Sequence, residues 1–353
     1  MIGAVADVLV VNAGSTSFKL RLVDEGERVE AVESLQSVEP GRVDAVGHRV
    51  VHGGARFRDP VVIDADVIAA IRELTALAPL HNAPALRGIE GARRVLPDVP
   101  HVAVFDTAFH HTLADEAAVY AVPRRWSEEW GIRRYGFHGL SVQWAAEQVP
   151  VERLVVCHLG GGCSITAVHA GRSVDTTMGL TPLEGVPMTT RSGTVDPGAL
   201  LYLLREHLSV DELNEALEHE SGLKGLSGTS GDLREIQAAE ASGDERSALA
   251  LAVYVHRIAA AVAAMAASLG GLDALVFTAG VGENSALVRE RICARLGFLG
   301  VELDEDLNRA ATPDCEIARQ GSQVRVVVVR AREELVAARA VRALLRETRT
   351  EVR

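Results

Sequence analysis

Glycine-rich turns that follow apolar runs are the first places in this sequence where chemistry could be done. The run from Asn12 to Lys19, NAGSTSFK, combines a glycine, the hydroxyl residues Ser15 and Ser17, and a lysine. Backbone N–H groups of a tight turn and a nearby cation can hold a phosphate without a helix. The same residue types are also common in plain hairpin turns. The segment by itself therefore leaves a phosphate site and a structural turn both open.

Two further glycine segments follow apolar runs. Gly160, Gly161 and Gly162 come after RLVVCHL, and Gly280–Asn284 comes after ALVFTA. Three glycines permit close approach of a ligand to the backbone, although a steric turn has the same composition. The junction of a buried strand and a helix, where Gly280–Asn284 is predicted, is a place where nucleotides bind. The sequence contains no Gly-Lys pair, which excludes a P-loop.

Four charged or titratable side chains lie next to apolar runs or in loops of small residues. Arg49 lies in GHRVVHGG, Arg191 in MTTRSGTVDPG, Asp106 after HVAVF, and His138 in RRYGFHGLS. An arginine in such a loop can clamp a carboxylate or phosphate through two parallel hydrogen bonds. A carboxylate at a strand end commonly faces an active-site crevice. Each residue also fits a structural role, as a surface arginine, a turn cap or a buried histidine.

The hydrophobic pattern indicates the strands that would position these residues. Val8–Asp24 and Arg153–Gly171 each predict a β-hairpin, because an apolar alternating run stands on either side of a polar glycine turn. The two hairpins lie about half a chain apart, which suggests two related halves. Ala274–Ile292 predicts a strand, a turn and a helix.

Helices and a last strand separate and follow these segments. Asp64–Leu77 has one apolar stripe, whereas Arg246–Leu269 is apolar nearly all round and is expected to be buried between other elements. Val324–Val329 predicts the last strand and Glu333–Leu345 the last helix. Strands that alternate with helices predict an α/β protein, and Pro150 with its polar neighbours suggests a domain boundary there.

Composition and net charge restrict the partners and the location that we expect for this protein. The 353 residues suggest about two domains, and the net charge of −12 with only 4% aromatic residues disfavours nucleic acid and anionic membranes as partners. The four cysteines are too few and too spread out for a disulfide framework, and no pair has the C-x-x-C spacing that would indicate a zinc site. The first residues lack the basic region of a signal peptide, and the longest uncharged apolar run is too short for a membrane span. We therefore expect a cytoplasmic protein that draws any anionic substrate to a local cationic site.

Nine segments in chain order make the sequence similar to the acetate kinase family, within the larger class of acetate and sugar kinases, Hsp70 and actin. They are VNAGSTSFKL, GHRVVHGG, PLHNAPAL, VFDTAFH, RRYGFHGLS, HLGGGCSI, DTTMGLTPLEGVPMTTRSGTVDPG, SGLKGLSGTSGDLREI and VFTAGVGENSALVR. The resemblance covers most of the chain and does not depend on any one short motif.

The resemblance implies an α/β fold with two ribonuclease H-like (actin-like ATPase) domains that face an active-site cleft. Residues 1–148, completed by a C-terminal helix at 335–353, would form the first domain on the acyl and phosphate side, and residues 149–334 the nucleotide-binding domain. It also implies a homodimer that transfers the γ-phosphoryl group of ATP to acetate, directly, in line and reversibly. The products are acetyl phosphate and ADP, and the metal is Mg²⁺, with Mn²⁺ as an alternative.

The family pattern also implies roles for particular residues. Asp106, Arg191 and His138 would be catalytic, with Arg191 and His138 stabilising the transition state. Arg49 would bind the acetate carboxylate, and the acyl methyl group would lie among Val51, Leu80, Phe137 and Pro182. ATP would be bound by Lys19, Ser15, Ser17, His158, Leu159, Gly160, Gly161, Gly162, Asp232, Leu233, Arg234, Gly280, Val281, Gly282, Glu283 and Asn284, and the metal by Asn12 and Glu333.

A carboxylate substrate is already ionised at neutral pH, so we expect Asp106 to position substrate or metal-bound water and not to abstract a proton. We also expect the guanidinium groups of Arg49 and Arg191 to converge on a shared hollow. The sequence departs from the family pattern by a shorter first domain and at four positions, which are Gly161 for an asparagine, Ala55 for an acid, and Leu140 and Val142 for polar residues.

Two alternatives to an acetate kinase remain. One is a kinase for propionate or butyrate, because one methylene changes binding by only about 1–3 kcal/mol. The other is a catalytically weak nucleotide-binding module like actin or Hsp70. Such a module has no use for Arg49, Arg191 and an acyl pocket together, so their joint presence favours the enzyme.

Overall fold

The computed structural model describes residues 5–13, 18–39, 41–76 and 79–351. Ser15 and Ser17 lie outside these ranges. Leu80 lies within them, but its side chain is not described. The strands are β1 (Val8–Ala13), β2 (Phe18–Val23), β3 (Val29–Val32), β4 (Ala45–Val50), β5 (Val61–Val62), β6 (His101–Phe105), β7 (Arg153–Leu159), β8 (Cys163–His169), β9 (Arg172–Thr176), β10 (Ala274–Thr278), β11 (Cys315–Glu316) and β12 (Arg325–Val328).

The α-helices follow or separate these strands. They are α1 (Ala65–Glu73), α2 (Pro79–Val95), α3 (Asp115–Ala118), α4 (Arg124–Trp130), α5 (Gly139–Gln148), α6 (Pro197–Glu206), α7 (Val210–Glu215), α8 (Gly222–Ser227), α9 (Leu233–Ala241), α10 (Glu245–Leu269), α11 (Ala279–Asn284), α12 (Ala286–Cys293), α13 (Glu305–Arg309) and α14 (Glu333–Glu351). A π-helical turn, Ala216–Glu220, follows α7.

The chain divides into two compact units. Among the described residues, unit 1 comprises those within 1–111, 122–144 and 332–353, and unit 2 those within 112–121 and 145–331. Each unit contains one six-stranded sheet. The domain limits predicted from the sequence, 148/149 and 335, stay a prediction.

The two sheets have the same strand order. In unit 1 the order is β3-β2-β1-β4-β6-β5, and in unit 2 it is β9-β8-β7-β10-β12-β11. In both, an antiparallel hairpin leads into parallel strands, and a short antiparallel strand forms the far edge. The predicted hairpins are present as β1–β2 and β7–β8, and the predicted α/β fold with two actin-like halves is confirmed.

Helices cover both faces of the sheet in unit 1. On one face Gly88 of α2 lies against Val11 of β1, and on the other Gly47 of β4 lies against Val341 of α14. Successive strand residues point to opposite faces, so a strand that is covered on both sides must be apolar throughout. This explains the four consecutive apolar residues in each of β1 (Val8–Val11) and β6 (Val102–Phe105), all of which are buried.

In unit 2 the helix α10 packs against β7, β8 and β9. Among the described residues it is the helix that is long and apolar enough to cross a membrane. In the fold it buries one side, including Tyr254, Ile258 and Val262, while Leu249 stays exposed. The prediction of a buried helix is therefore confirmed for one side of α10, whose apolar residues pack against the sheet.

Candidate active site

Arg49 is the centre of the polar cluster in unit 1. Its Nε donates to Asp106 Oδ1 at 2.8 Å and its Nη2 to Asp106 Oδ2 at 2.6 Å, a two-pronged ion pair. Its Nη1 lies 3.2 Å from Asn12 Oδ1 and 3.0 Å from Glu333 Oε2. One guanidinium therefore gathers two carboxylates and an amide that are far apart in the sequence.

The topology of unit 1 explains this convergence. Asn12 near the end of β1 is the register partner of Arg49 in β4, and Asp106 directly follows β6. These three strands are parallel neighbours, so their carboxyl ends meet at one edge of the sheet, where ligands bind in α/β folds. Glu333, the first residue of α14, reaches the same place. The sequence-based expectation that Asp106 lies at a strand end is confirmed.

The charges of this cluster favour an additional cation. Burial disfavours the charged form of Arg49, but Asp106 and Glu333 outweigh burial and raise its pKa above the ordinary arginine value. The group carries one positive and two negative charges, with oxygen atoms of Asn12, Asp106 and Glu333 as donors. Mg²⁺ prefers oxygen ligands and is held by one or two carboxylates plus substrate phosphates. The donor set therefore fits Mg²⁺, although the described residues include no group of three His, Cys, Asp or Glu side chains close enough to form a metal site.

His138 is held next to Asp106 through the backbone. Gly139 N donates to Asp106 O at 3.0 Å, and a Cβ at Gly139 would lie 2.1 Å from that oxygen. Only glycine fits this approach. His138 itself has φ 58°, the left-handed region that a histidine rarely adopts and that is found at functional sites.

Two of the four apolar residues predicted for the acyl pocket have side chains that are described in unit 1. Val51 directly follows β4, and it is buried, as is Phe137. Phe137 also packs edge-on against the His52 ring, with centroids 5.3 Å apart. Two of the four predicted pocket residues thus lie in the segments that flank Arg49 and His138. Leu80 belongs to α2, its side chain is not described, and Pro182 belongs to unit 2.

In unit 2 the predicted nucleotide segments meet at the ends of β7 and β10. These strands are parallel neighbours with His158 paired to Thr278. The turn after β7 and the segment after β10 are in contact, because a Cβ at Gly160 would lie 3.5 Å from Ala279 Cβ. The predicted turn at Gly280–Asn284 is instead the short helix α11, which begins directly after the strand.

Two other predicted segments of unit 2 contact the same turn. Thr189, two residues before Arg191, donates its N–H to Gly161 O at 3.4 Å, and a Cβ at Gly231 would lie 2.7 Å from Thr189 O. The segment GGG and the turn GTSGD therefore both contact the loop with Arg191 at Thr189. Gly161 is exposed, and nothing lies within 4 Å of a Cβ built on it.

Arg191 is largely buried in its loop. Its Nη1 donates to Pro182 O at 2.8 Å, and its Nε lies 4.0 Å from Glu218 Oε2. Burial lowers the pKa of Arg191, and Glu218 opposes that shift. The predicted residues Arg191 and Pro182 are thus brought together, but through the carbonyl oxygen of the proline.

Lys19, Asp232 and Glu283 are at least partly exposed to solvent, whereas the predicted ATP-binding residues Leu159 and Leu233 are buried. Lys19 is exposed on β2, opposite Asn12 in the strand register. Asp232 caps the N-terminus of α9 and pairs with the exposed Arg234, whose hydrogen bond lowers the pKa of Asp232 to about 2. Glu283 Oε1 accepts the N–H of Ala331 at 2.9 Å. Their roles toward ATP stay predictions.

Residues that the sequence did not single out hold these segments in place. Tyr120 donates its hydroxyl hydrogen to Glu184 and accepts the N–H of Leu180, which anchors the loop that contains Pro182. Arg289, almost fully buried, donates to Asn308 Oδ1 and to the carbonyl of Gly282 at the end of α11. Arg289 is the last residue of the segment VFTAGVGENSALVR, a position that could have drawn attention to it; nothing near Tyr120 offered such a signal.

The expected convergence of Arg49 and Arg191 stays a prediction. Arg49, Asp106, His138, Asn12 and Glu333 belong to unit 1, whereas Arg191 and the nucleotide segments belong to unit 2. Each set is assembled within its own unit from segments that are distant in the chain.

Two sheets of the same order, each with polar residues at the carboxyl ends of its parallel strands, place the protein in the actin-like ATPase fold class. The model of the Acetokinase family matches residues 32–339. The chain belongs to this family.

Individual relatives agree with this assignment. The acetate kinase of Nostoc punctiforme is 48% identical over 348 residues, which cover 94% of this chain and 86% of the relative. The acetate kinase of Microcystis aeruginosa is 51% identical over 306 residues, covering 84% and 76%. The crystal structure of Porphyromonas gingivalis acetate kinase has a TM-score of 0.88 and 36% identity, covering 96% of this chain and 100% of its own. A propionate kinase from Francisella tularensis has the same TM-score and identity, with 95% and 98% covered.

Proposed function

We propose that this protein is an ATP-dependent acetate kinase that transfers the γ-phosphoryl group of ATP to acetate, directly and reversibly. The observation that carries the proposal is the Arg49 cluster, in which Asp106 holds a guanidinium in a two-pronged pair at the carboxyl ends of three strands. An arginine fixed in this way has its plane set before substrate arrives, and its remaining Nη1 edge faces Asn12 and Glu333. The relatives named acetate kinase support the same substrate.

The reaction needs charge compensation more than it needs a base. Acetate is ionised at neutral pH, but its carboxylate and the γ-phosphate repel each other by about 4 kcal/mol at 4 Å and an effective dielectric constant of 20. Arg49 would bind the acetate carboxylate, and Arg191 and His138 would stabilise the charge on the phosphoryl group in flight. Both Asp106 oxygens accept hydrogen bonds from Arg49, which suits a positioning role and not proton abstraction.

Asn12 and Glu333 would hold Mg²⁺, or Mn²⁺ in its place. When bound, the ion neutralises part of the charge on the ATP phosphates. The side-chain oxygens of Asn12 and Glu333 lie beside the Arg49 guanidinium. The residues proposed to hold the metal are therefore next to the arginine proposed to bind the acetate carboxylate. Unit 2 would bind ATP through the turn 160–162, α9 and α11, and the role that the family pattern implies for Lys19 is to bind phosphate.

Pocket size decides the choice among acyl chains. Propionate is the second candidate, and the similarity to the propionate kinase of Francisella tularensis favours it over butyrate. Val51 and Phe137 are buried apolar residues that would contact the acyl chain. Because one methylene is worth only about 1–3 kcal/mol, we expect acetate to be preferred with some turnover of propionate.

A second copy of the chain would cover an apolar face of unit 2. Helix α6 has no buried residue, and its Leu201 and Tyr202 are 51% and 57% exposed. Leu249 of α10 is 58% exposed as well. Large exposed apolar side chains mark interaction surfaces. We assign the exposed apolar side chains of α6 to the interface of a homodimer and place the enzyme in the cytoplasm.

The direct test is to trap the product. The protein is incubated with ATP, Mg²⁺ and hydroxylamine together with acetate, propionate or butyrate, because an acyl phosphate is captured as a hydroxamate. We expect hydroxamate with acetate at the highest kcat/KM and ADP in equal amount. ADP release without hydroxamate would identify a nucleotide-binding module with ATPase activity, and a higher kcat/KM with propionate would change the substrate assignment.

A further inference from the structure

Glu218 is an acidic residue that faces the predicted catalytic Arg191. Its Oε2 lies 4.0 Å from Arg191 Nε, and the two side chains are 15% and 16% exposed. Among the residues that the structure describes, the hydrogen bond of the Arg191 guanidinium goes to the Pro182 carbonyl, a neutral acceptor. Glu218 therefore supplies the charged partner of an arginine whose task is to meet a phosphoryl group.

The placement of Glu218 is built into the backbone. It lies in the π-helical turn Ala216–Glu220, which is joined to the Arg191 loop on both sides of the arginine. Thr190 Oγ1 donates to Glu218 O at 2.8 Å, and Ser192 N donates to Leu217 O at 3.0 Å.

The same connection continues past the turn. Ser221 N donates to Thr190 O at 2.9 Å, and Leu223 N donates to Met188 O at 2.8 Å. These bonds tie the residues before and after Glu218 to the loop that carries Arg191. The backbone of Glu218 is therefore held beside the Arg191 loop by the fold.

We propose that Glu218 is the resting counter-ion of Arg191 and weakens its attraction for the γ-phosphoryl group of ATP. The inference rests on the proposed function. A buried guanidinium without a charged partner is costly, so Glu218 stabilises Arg191 when no substrate is bound. The same carboxylate repels an incoming phosphoryl oxygen through a poorly solvated region. Glu218 is thus a positioning residue that sets how strongly Arg191 attracts an anion.

The test measures nucleotide affinity by calorimetry on Glu218→Gln, which keeps the size of the side chain and removes its charge. We expect the β,γ-imido analogue of ATP to bind about three- to tenfold more tightly than to the unmodified protein, and ADP to bind equally. Glu220→Gln removes a charge from an exposed neighbour on the same turn and serves as the matched control. An additional Arg191→Ala substitution should abolish the gain.

Several outcomes would overturn the proposal. Weaker binding in Glu218→Gln would mean that Glu218 only orients Arg191, and equal gains in Glu220→Gln would mean a general charge effect. If Glu218→Gln does not fold, Glu218→Asp withdraws the carboxylate by one methylene. That variant should give a smaller gain for the same nucleotide, and no change would contradict the proposal. The hydroxamate assay on the unmodified protein is independent, because its failure removes the kinase assignment itself.

Discussion

Gly139→Ala is the substitution whose consequence follows most directly from the geometry of unit 1. The Cβ that it adds would lie 2.1 Å from the carbonyl oxygen of Asp106 and 2.9 Å from Phe109 Cβ. Real Cβ contacts below 3.0 Å essentially do not occur. The first of these neighbours is a backbone atom that cannot rotate away, so the two segments must separate by roughly 1 Å.

This separation changes the site because both segments carry predicted catalytic residues. Asp106 holds Arg49 through two hydrogen bonds, and His138 directly precedes the substituted position. A displacement of about 1 Å in positioning groups can lower the rate by about 100-fold. Forcing an additional methyl group into a packed region costs about 1–3 kcal/mol of the free energy of unfolding. We expect kcat/KM for acetate to fall by about 100-fold and the midpoint of thermal unfolding to fall by several degrees.

The measurement is the hydroxamate assay, normalised to folded protein by circular dichroism. The matched control is Gly91→Ala, where the new Cβ of a helical residue lies 3.5 Å from Leu35 Cδ1, an ordinary contact. That variant should keep its activity and gain up to about 1 kcal/mol in stability. A kcat/KM of Gly139→Ala within threefold of the unmodified enzyme would refute the view that the close backbone approach positions the catalytic residues.

Four other predictions concern single substitutions. In steady-state kinetics, Arg191→Ala should lower kcat far more than it raises the KM for acetate, and an unchanged kcat would contradict its assigned role. Arg49→Ala should mainly raise the KM for acetate, and an unchanged KM would contradict its assigned role. Gly161→Asn has open space around the new side chain and should lower the KM for ATP if this turn binds phosphate, so a raised KM would count against that role. Burial lowers the pKa of His110 to about 4 from 6.5, so the unfolded chain binds more protons between these values and stability is lost as the pH falls through that range. The free energy of unfolding, measured with denaturant, should fall between pH 8 and pH 5 by about 2 kcal/mol more in the unmodified protein than in His110→Gln. An equal fall in both proteins would refute the lowered pKa of His110.

The residue types and their order were enough to predict much of the molecule. The alternation of apolar and polar residues around glycine turns predicted the β1–β2 and β7–β8 hairpins, because strand periodicity is a local property of the chain. The resemblance of the nine segments predicted the family and the repeated actin-like fold, which the family match and the strand orders confirm. It also pointed to Arg49 and Asp106, which the structure joins.

Other features depended on contacts that no local pattern encodes. The sequence places Asp106 at a strand end, but only the parallel pairing of β4 with β6 brings it to Arg49. The segment after β10 has turn-like composition, yet it is helical, and the buried Arg289 binds the carbonyl of Gly282 near the end of that helix. Tyr120 and Glu184 lie 64 positions apart and contact each other.

The amino-acid sequence by itself thus determined which segments form strands, which family the chain belongs to and which charged residues could do its chemistry, because these depend on residue type and short-range order. The tertiary structure decided the partners of those charges. Asp106 and Glu333 became the partners of Arg49, and Glu218 that of Arg191, because electrostatic interactions depend on distance in space and strand pairing sets that distance.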